Sequence, residues 1–424
     1  NLAIGVRFPY RLPKVSRNAD LFCLYLHHIS SDMHKVVIAS DSFKGSLSSA
    51  EVAEAARKGI HEVYPDCEVL KVCMADGGEG MLSAIEGNIH AERMYTEVHD
   101  PIGRTITAEY LIHEQNGPRT AIIEMAKASG LTLLKENERN PLTTSSYGTG
   151  ELIMDAFGRG CSKFIIGLGG SATNDGGSGM LEAIGVRFYD NIGNEIKGLD
   201  GRLTGQICSI DMSFVAKDLL ECEFVVACDV DATFTGPDGA SHVFSAQKGA
   251  DIRMTEELEN GMMTFSEAID RTFGSDISSV KGSGAAGGLG GALYIFLGAE
   301  LKKGSELILD TIGFDSLIED ADLVITGEGR IDNQTFMGKA PAGVAERAAR
   351  HGIPVIAIGG IIDIQDVPSG FQDIIPIGKR PGNDEELRYV MTPSVTKERI
   401  RKTISDYFLN IFIKNQQKIL QIKK

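Results

Sequence analysis

The chain has 424 residues, of which 42% are hydrophobic and 24% charged, a composition typical of a soluble globular protein with two or three domains. Its formal net charge of −16 argues against a nucleic-acid partner, because nucleic-acid-binding proteins are normally basic. The sequence lacks the long apolar run of a membrane span, and its seven cysteines form no Cys-x-x-Cys pair, which favours free thiols in a reducing, cytoplasmic compartment.

Residues 1–32 differ in character from the rest of the chain. They are basic at first and then carry an apolar run too short for a secretory signal, and Met33 stands directly before the first strong strand pattern. We therefore expect residues 1–32 to be a non-native or disordered extension that carries no chemistry.

The first strand pattern, KVVIAS, leads into the polar loop DSFKGSL and then into a helix pattern. Ser48 and Glu51 have the Ser-x-x-Glu spacing of a capping box, which marks the start of that helix. Ligands bind at the carboxyl ends of strands in open α/β sheets, so Ser42 and Lys44 are candidates for binding an anion. Considered alone, the loop is better explained as an ordinary N-cap region with a surface lysine.

The next polar segment, MADGGEG, holds Asp76 and Glu79 between three glycines. Carboxylates in a tight glycine turn suit a hydrated Mg²⁺, which needs only one or two protein carboxylates. A plain turn explains the segment equally well.

The middle of the chain begins with two strand patterns, RTITAEYLIH and RTAIIEMA, joined by EQNGP, which predicts a β-hairpin. The strand KFIIGL then opens the stretch IIGLGGSATNDGGSGM, which has six glycines between Gly167 and Gly179. Without a lysine it cannot be a Walker A loop, so we interpret it as a cradle of backbone N–H donors whose cations come from elsewhere. Asp175 is the awkward residue, because a carboxylate beside a phosphate is repulsive unless it faces a metal or a hydroxyl group. The predicted contacts of this cradle are Gly169, Gly170, Ser171, Thr173, Asn174 and Asp175.

Two further segments follow in the middle of the chain. Asp229 and Asp231 come at the end of the strand EFVVA and share a face if the chain stays extended. The stretch GSGAAGGLGG contains Gly287 and Gly288 and matches G-x-G-x-x-G, but the segment before it is a poor strand, so the match is weak evidence for a dinucleotide.

The strand ADLVIT precedes the loop GEGRIDNQTFMGKAP, which supplies Glu328, Arg330, Asp332 and Lys339. A guanidinium can clamp a phosphate or carboxylate, and an acid can take a proton from an attacking hydroxyl group. A salt-bridged surface loop is the plain alternative. Several such strand-end loops meeting in one cleft would supply what phosphoryl transfer requires, namely positioning and charge stabilisation.

Strands alternate with helices near both ends, which predicts an α/β protein of two domains with a cleft between them. The outer, doubly wound, Rossmann-like domain combines residues 33–90 with residues 295–390. Residues 91–294 form an inserted α/β domain with glycine-rich ligand loops. Residues 391–424 form a basic amphipathic helix that we expect to dock on the acidic protein itself rather than on a membrane.

The segments quoted above, taken in order from about Lys35 to about Asp384, resemble the bacterial glycerate kinases of the type-1 family. The segment DATFTG departs from the family's usual Asp-Asn-Pro-Leu. The resemblance implies two α/β domains and ATP-dependent phosphorylation of D-glycerate, with 2-phosphoglycerate as the expected product and 3-phosphoglycerate as the lesser possibility. It also implies ATP and Mg²⁺ as cofactors and leaves the oligomeric state open.

Residue chemistry and motif position within that family suggest individual roles. Asp332 is the first candidate, and Asp229 the second, for orienting the glycerate hydroxyl group. Arg330 would hold the glycerate carboxylate, while Lys44 and Lys339 would offset charge on the transferred phosphoryl group or on ADP. Asp76 and Glu79 would hold Mg²⁺. Contacts to nucleotide or substrate are expected from Ser42, Gly169, Gly170, Ser171, Thr173, Asn174, Asp175, Gly287, Gly288, Glu328 and Lys339.

Two other functions remain open from the sequence. One is an oxidoreductase that binds a dinucleotide through GSGAAG. The other is a non-catalytic protein that binds a small molecule, in which the glycines serve only domain closure.

Overall fold

The computed structural model describes residues 33–75, 77–78, 80–114, 117–336 and 338–422, so the predicted extension over residues 1–32 lies outside the described part. Two sheets dominate the fold, and helices cover both faces of each. This is the α/β class that the sequence predicts.

The strands, numbered in chain order, have the following bounds. They are β1 Lys35–Ser40, β2 Glu68–Cys73, β3 Glu92–His99, β4 Thr105–His113, β5 Thr120–Glu124, β6 Lys163–Gly167, β7 Arg187–Tyr189, β8 Glu195–Ile196, β9 Ser209–Asp211, β10 Glu223–Ala227, β11 Glu300–Lys302, β12 Leu323–Ile331, β13 Val355–Ile362 and β14 Asp373–Pro376.

The α-helices, numbered in the same way, are α1 Ser49–His61, α2 Met81–Glu86, α3 Ala126–Ser129, α4 Tyr147–Gly158, α5 Ser178–Ala183, α6 Lys217–Leu220, α7 Ala240–Phe244, α8 Ile252–Phe273, α9 Leu289–Leu297, α10 Gly304–Thr311, α11 Phe314–Ile318, α12 Ala340–Arg350, α13 Asp384–Val390 and α14 Pro393–Ile422. None of the described helices is long and apolar enough to cross a membrane.

The first sheet has five parallel strands in the order β14-β13-β12-β1-β2. The chain moves from β1 to β2 on one side and later returns to β12 on the other side of β1. The strand order therefore reverses between β1 and β12, and in open α/β sheets a crevice opens at such a point beyond the carboxyl ends of the strands.

The second sheet has six strands in the order β11-β10-β6-β5-β4-β3. Strands β5, β6, β10 and β11 run parallel, whereas β3, β4 and β5 pair antiparallel. The predicted hairpin is therefore confirmed as β4 and β5. A small sheet of β7, β8 and β9 lies apart from these two.

Three apolar cores hold the layers together. One joins the second sheet to helices such as α4, α8 and α9, and another joins the first sheet to α1 and α14. The third lies between the two sheets, where α2, α10, α11 and α12 pack against both Val37 of the first sheet and Ile165 of the second. The two sheets thus share a central layer of helices.

Two local predictions about helices are confirmed. Helix α1 begins with the capping box, in which the Ser48 side chain accepts the backbone N–H of Glu51 and the Glu51 carboxylate accepts the N–H of Ser48. The basic helix α14 docks on the protein, because Ile400, Ile404 and Phe408 are fully buried against α1 and the first sheet.

One predicted boundary shifts. We placed the return to the outer domain at residue 295, but α9 packs in the core of the second sheet and β11 pairs with β10. The three residues of β11 are close enough to β10 to form a ladder, which the apolar pattern alone could not indicate. We therefore propose that the inserted domain extends to about Lys302, and the other predicted domain bounds stay a proposal.

Candidate functional site

A pocket of about 340 Å³ lies at the carboxyl ends of β1 and β12, where the strand order reverses. Its charged walls come from the segments that follow or end these two strands. The structure thereby brings together six of the predicted site residues, Ser42, Lys44, Glu328, Arg330, Asp332 and Lys339. Asp41 also lines the pocket, and sequence reasoning missed it.

The segment after β1 is fixed to its neighbour by backbone bonds. Asp41 donates its N–H to the Gly327 carbonyl at 2.9 Å, and the Ser40 hydroxyl donates to the same oxygen at 2.9 Å. The Asp41 carboxylate is 5% exposed and accepts the backbone N–H of Ser42 at 2.6 Å. The exposed Lys44 follows, so the loop presents a buried carboxylate and an exposed ammonium group to one pocket.

Glu328 and Arg330 lie on a strand rather than in the predicted loop. Strand β12 continues to Ile331 because it pairs with β13 as far as Ile362. Residues two apart on a strand share a face, so Glu328 and Arg330 project to the same side. The Lys339 ammonium lies 3.9 Å from the Glu328 carboxylate, and Lys339 is the N-cap residue of α12.

Asp332 caps a tight turn directly after β12. Its Oδ1 accepts the N–H of Gln334 at 2.9 Å, and its own N–H donates to the Thr335 hydroxyl at 3.0 Å. These bonds fix a half-buried carboxylate at the pocket wall, as a residue that orients a substrate hydroxyl requires.

The Arg330 guanidinium has a carboxylate partner that the sequence did not reveal. Its Nε and Nη2 donate to Oδ2 of Asp363 at 2.9 and 2.5 Å, and Arg380 donates to the other oxygen of Asp363 at 2.7 Å. These two guanidinium groups, Arg330 first, lower the pKa of Asp363. Asp363 follows β13, so only the pairing of β12 with β13 brings it near Arg330.

Asp229, the second candidate for orienting the hydroxyl group, lies at the junction of the two sheets and not among the residues that line the pocket. Its Oδ1 accepts the N–H of Gly304 at 2.8 Å and its Oδ2 accepts the N–H of Gly77 at 3.3 Å. Gly304 is the first residue of α10, so the carboxylate sits at a helix N-terminus, which favours negative charge. Asp229 thereby joins β10 of the second sheet to the loop after β2 of the first sheet and to the start of α10 in the layer between the sheets.

Asp175, in the glycine-rich stretch, is fully buried and has four donors. Its Oδ2 accepts the N–H and hydroxyl of Ser146, each at 2.7 Å, and the N–H of Gly179 at 3.3 Å, while its Oδ1 accepts the N–H of Gly177 at 3.1 Å. Burial raises the pKa of this carboxyl group. The Asp175 carboxylate therefore binds donors of the protein itself rather than a phosphate, which explains the presence of an acidic residue in this glycine-rich stretch.

The rest of the stretch packs against the second glycine-rich segment. Thr173 and Asn174 are fully buried, and a Cβ on Gly287 would lie 2.0 Å from the Thr173 carbonyl oxygen. Likewise, a Cβ on Gly288 would lie 2.6 Å from the Cα of Gly176. The structure does not bring Thr173, Asn174, Asp175, Gly287 or Gly288 to the pocket, and contact of these five with a ligand stays a prediction.

Lys248 is a buried lysine in the segment FTGPDGASHVFSAQKGA, and no role was predicted for it from the sequence. It is 1% exposed and donates from Nζ to the Thr173 carbonyl at 2.6 Å. Burial lowers its pKa to about 7, although the nearby Asp175 opposes the shift. The lysine ties α7 and the turn after it to the glycine-rich stretch.

Gly169, Gly170 and Ser171 are the exposed or half-buried part of the stretch. They follow β6, and a Cβ on Gly78 would lie 2.9 Å from the Gly169 Cα, so this loop touches the loop after β2. Gly170 has a φ of +78°, which favours glycine. Their predicted contact with a ligand is untested by this geometry.

The predicted Mg²⁺ ligands Asp76 and Glu79 lie outside the described residues. Within the described part of the chain, no three His, Cys, Asp or Glu side chains cluster into a metal site. However, Mg²⁺ that arrives with phosphates needs only one or two protein carboxylates, and Asp41, Glu328 and Asp332 line the pocket. The residues present therefore fit a hydrated Mg²⁺ bound together with a nucleotide.

The dinucleotide hypothesis lacks its structural context. A G-x-G-x-x-G fingerprint should follow a strand and open a helix with an exposed turn. Here the segment from Gly282 follows a turn, and its Ala285–Gly288 part is a buried 3₁₀ turn.

Comparison with known proteins finds relatives over most of the chain. The profile of the Glycerate kinase family matches residues 36–405. A glycerate kinase from Halalkalibacterium halodurans is 45% identical over 328 residues, which cover 77% of this chain and 86% of the relative. The glycerate 2-kinase of Escherichia coli strain K12 is 46% identical over 326 residues, 77% of this chain and 85% of the relative. A crystal structure assigned as glycerate kinase 2 from Salmonella typhimurium LT2 is 40% identical, with a TM-score of 0.80 over 91% of this chain and 100% of that chain.

The fold is α/β, and its pocket at the reversal of strand order collects lysines, an arginine and carboxylates. These features suit a phosphotransferase, which catalyses by positioning its substrates and stabilising charge. Within that class, the chain belongs to the glycerate kinase family. The family resemblance and the two-domain α/β fold predicted from the sequence are both confirmed.

Proposed function

We propose that this protein transfers the terminal phosphoryl group of ATP to the 2-hydroxyl group of D-glycerate. The observation that carries the proposal is the pocket itself, which gathers two lysines, an arginine and three carboxylates from two neighbouring strand ends. The 2-position is supported by the name of the Escherichia coli relative, a glycerate 2-kinase. No second function is favoured by any feature of the pocket.

In this proposal, Asp332 accepts the hydrogen bond of the glycerate hydroxyl group and takes its proton as the new oxygen–phosphorus bond forms. In a loose transition state the new oxygen–phosphorus bond is only slightly formed, so the hydroxyl group need not lose its proton early. Asp332 therefore contributes more by orienting the hydroxyl group than by acting as a base. The turn that holds Asp332 rigid supports that role.

Lys44 and Lys339 stabilise the phosphate oxygens. Lys44 enters the pocket from the β1 side and Lys339 from the N-terminus of α12, so a phosphate chain between them would face a cation from each side. The Lys339 ammonium group also lies 3.9 Å from the Glu328 carboxylate, so the two opposite charges stand side by side at the pocket wall.

Arg330 holds the glycerate carboxylate in this proposal. Its contact with Asp363 fixes the guanidinium plane and leaves one terminal nitrogen for the substrate. Mg²⁺ bound with ATP and held by pocket carboxylates such as Asp41 or Glu328 would supply further charge neutralisation for the phosphates.

The proposal is tested by mixing the protein with ATP, Mg²⁺ and D-glycerate and measuring ADP release. We expect ADP to form only with D-glycerate present, and the phosphorus NMR spectrum of the product to match 2-phosphoglycerate. L-glycerate and a glycerate-free reaction are the controls. ADP release equal to the glycerate-free control would contradict the kinase function, and a 3-phosphoglycerate product would contradict the proposed position.

A further inference from the structure

The pocket has two chemically different ends, and the order of the strands separates them. The charged residues come from β1 and β12 and the segments after them. The other end lies over β13 and β14 and is lined by apolar side chains from β13, from the segment after β14, and from α13 and the residue that follows it. These residues are Ile361, Ile377, Pro381, Leu387, Val390 and Met391.

The separation has a definite scale. Neighbouring strands lie about 4.8 Å apart, so in the order β14-β13-β12-β1 the strand β13 lies on the order of 10 Å from β1, and the end of α13 bridges this distance because the Met391 side chain lies against Gly45 in the loop after β1. Glycerate is a three-carbon acid with no apolar surface to match such an end. A nucleoside triphosphate, by contrast, has a flat base at one end and a charged chain at the other, on this length scale.

From this arrangement we infer that the apolar end is the subsite for the nucleotide base and that α13 and the start of α14 form its wall. The base lies over β13 and β14, and the phosphates extend towards Lys44 and Lys339. Burying a flat, largely apolar ring between aliphatic side chains gains the affinity that charged groups alone do not provide. The inference rests on the proposed function, because it names which substrate each end receives.

Arg399 adds a cation at this end. It lines the pocket from α14, and a Cβ on Gly378 would lie 3.2 Å from its Nη1, which places the guanidinium beside the segment that follows β14. A guanidinium plane stacks well on an aromatic face, so Arg399 can pack on the exposed face of a bound base.

The position of the wall gives the C-terminal part of the chain a binding role. Helix α14 is held by Ile400, Ile404 and Phe408, and the Thr396 hydroxyl lies 2.7 Å from the hydroxyl of Ser46, which also lines the pocket. Contacts to α1 and to the loop after β1 thus set the distance between the base wall and the phosphate site.

The test is the variant Leu387→Ala, with Val390→Thr as a second variant that keeps the side-chain volume. We expect Leu387→Ala to raise KM for ATP about tenfold, the usual effect of removing methyl groups from an apolar subsite, while KM for D-glycerate stays within twofold. Tyr389→Ala is the matched control, because Tyr389 lies on the same helix, is 65% exposed and does not line the pocket.

Calorimetry separates the base from the phosphates without turnover. Leu387→Ala should weaken binding of MgADP about tenfold and leave binding of magnesium tripolyphosphate, which has no base, unchanged. Equal weakening of both ligands, or a rise in KM for D-glycerate alone, would overturn the assignment. Failure of the proposed function is a separate result, namely that the wild-type protein binds MgADP in this assay but produces no ADP from ATP and D-glycerate.

Discussion

Asp175 and Asp332 both accept hydrogen bonds from backbone N–H groups, but their different surroundings suit them to different roles. Asp175 is fully buried and each of its oxygens is engaged by the protein's own donors, so it holds the glycine-rich stretch against the start of α4. Asp332 is half-buried, lines the pocket and uses Oδ1 to cap its turn. We therefore place the first in the scaffold and the second in the proposed chemistry.

Asp332→Asn separates the turn from the chemistry. The asparagine side-chain oxygen can accept the same N–H of Gln334, so we expect the free energy of unfolding to change by less than about 1 kcal/mol. Loss of the proton-accepting carboxylate should lower kcat by up to about 10²-fold, at the low end for general bases because the transition state is loose.

The matched control is Asp190→Asn. Asp190 also accepts backbone N–H groups, from Ile192 and Asn194, but it lies in the turn between β7 and β8 of the small sheet and does not line the pocket. Steady-state kinetics of both variants, with unfolding curves, give the comparison. Equal kcat values for Asp332→Asn and Asp190→Asn would remove Asp332 from the mechanism.

Lys248 predicts a particular dependence of stability on pH. Its folded-state pKa is lowered to about 7, whereas the unfolded chain titrates near the ordinary value of 10.5, so between these values the unfolded state binds more protons. The contribution of Lys248 to the free energy of unfolding should therefore increase as pH rises from 7 towards 10, with a slope of up to about 1.4 kcal/mol per pH unit.

Lys248→Met removes this contribution. The difference between wild-type and variant unfolding free energies, measured by denaturant titration at each pH, should increase from pH 7 to pH 10. Asp175 lies beside the amine and opposes its shift, and burial raises the pKa of the Asp175 carboxyl group itself. A difference that stays constant with pH would show that Lys248 is charged in the folded protein throughout.

At the scale of elements, the contact between α1 and α14 is close enough to depend on a single glycine. A Cβ on Gly59 would lie 2.3 Å from the carbonyl oxygen of Arg401 and 3.0 Å from the Cβ of Ile404. Because α14 carries Thr396 and Arg399 into the pocket, its seat on α1 also sets the geometry of the binding site.

Gly59→Ala should therefore destabilise the protein by about 1–3 kcal/mol, the usual cost of overpacking a tight contact, and raise KM for ATP. Gly158→Ala is the matched control, since Gly158 ends helix α4 with open space around its Cβ position. That variant should be neutral or more stable by up to about 1 kcal/mol, because alanine favours the helix. Thermal unfolding of both variants tests the contact, and equal midpoints would contradict it.

The sequence predicted elements better than it predicted contacts. The capping box at Ser48 and Glu51, the β4–β5 hairpin and the buried face of α14 follow from local spacing, and all three are confirmed. The predicted end of β12 was wrong. The strand continues through Glu328 and Arg330 because it pairs with β13, and the sequence of this segment alone does not reveal that pairing.

At the scale of the whole molecule, the glycine-rich stretches correctly predicted that other groups approach the backbone closely, but they did not show which groups these are. Gly287 and Gly288 are required because other loops of the same chain lie against them, where the sequence suggested a ligand. The sequence prediction missed Asp363, the partner of Arg330, and Leu387, which lines the pocket, because both are distant in sequence from the segments at the ends of β1 and β12. Only the strand order β14-β13-β12-β1 brings them to one place.

The strand order also explains the location of the site. Six predicted residues from two segments nearly 300 positions apart converge because β1 and β12 are neighbours at the point where the strand order reverses. The inserted domain reaches this edge through the junction at Asp229, Gly77 and Gly304. The central claim is that phosphoryl transfer takes place in this pocket.

The most direct test of that claim is kcat/KM for ATP in Lys44→Met and Lys339→Met, measured with saturating D-glycerate and with the exposed Lys58→Met as control. Each pocket variant should lose about 10²–10³-fold, the typical effect of removing one group that stabilises transition-state charge, while unfolding remains native and Lys58→Met stays at the wild-type value. Values of kcat/KM within twofold of wild type for both pocket variants would place the phosphoryl transfer elsewhere in the molecule.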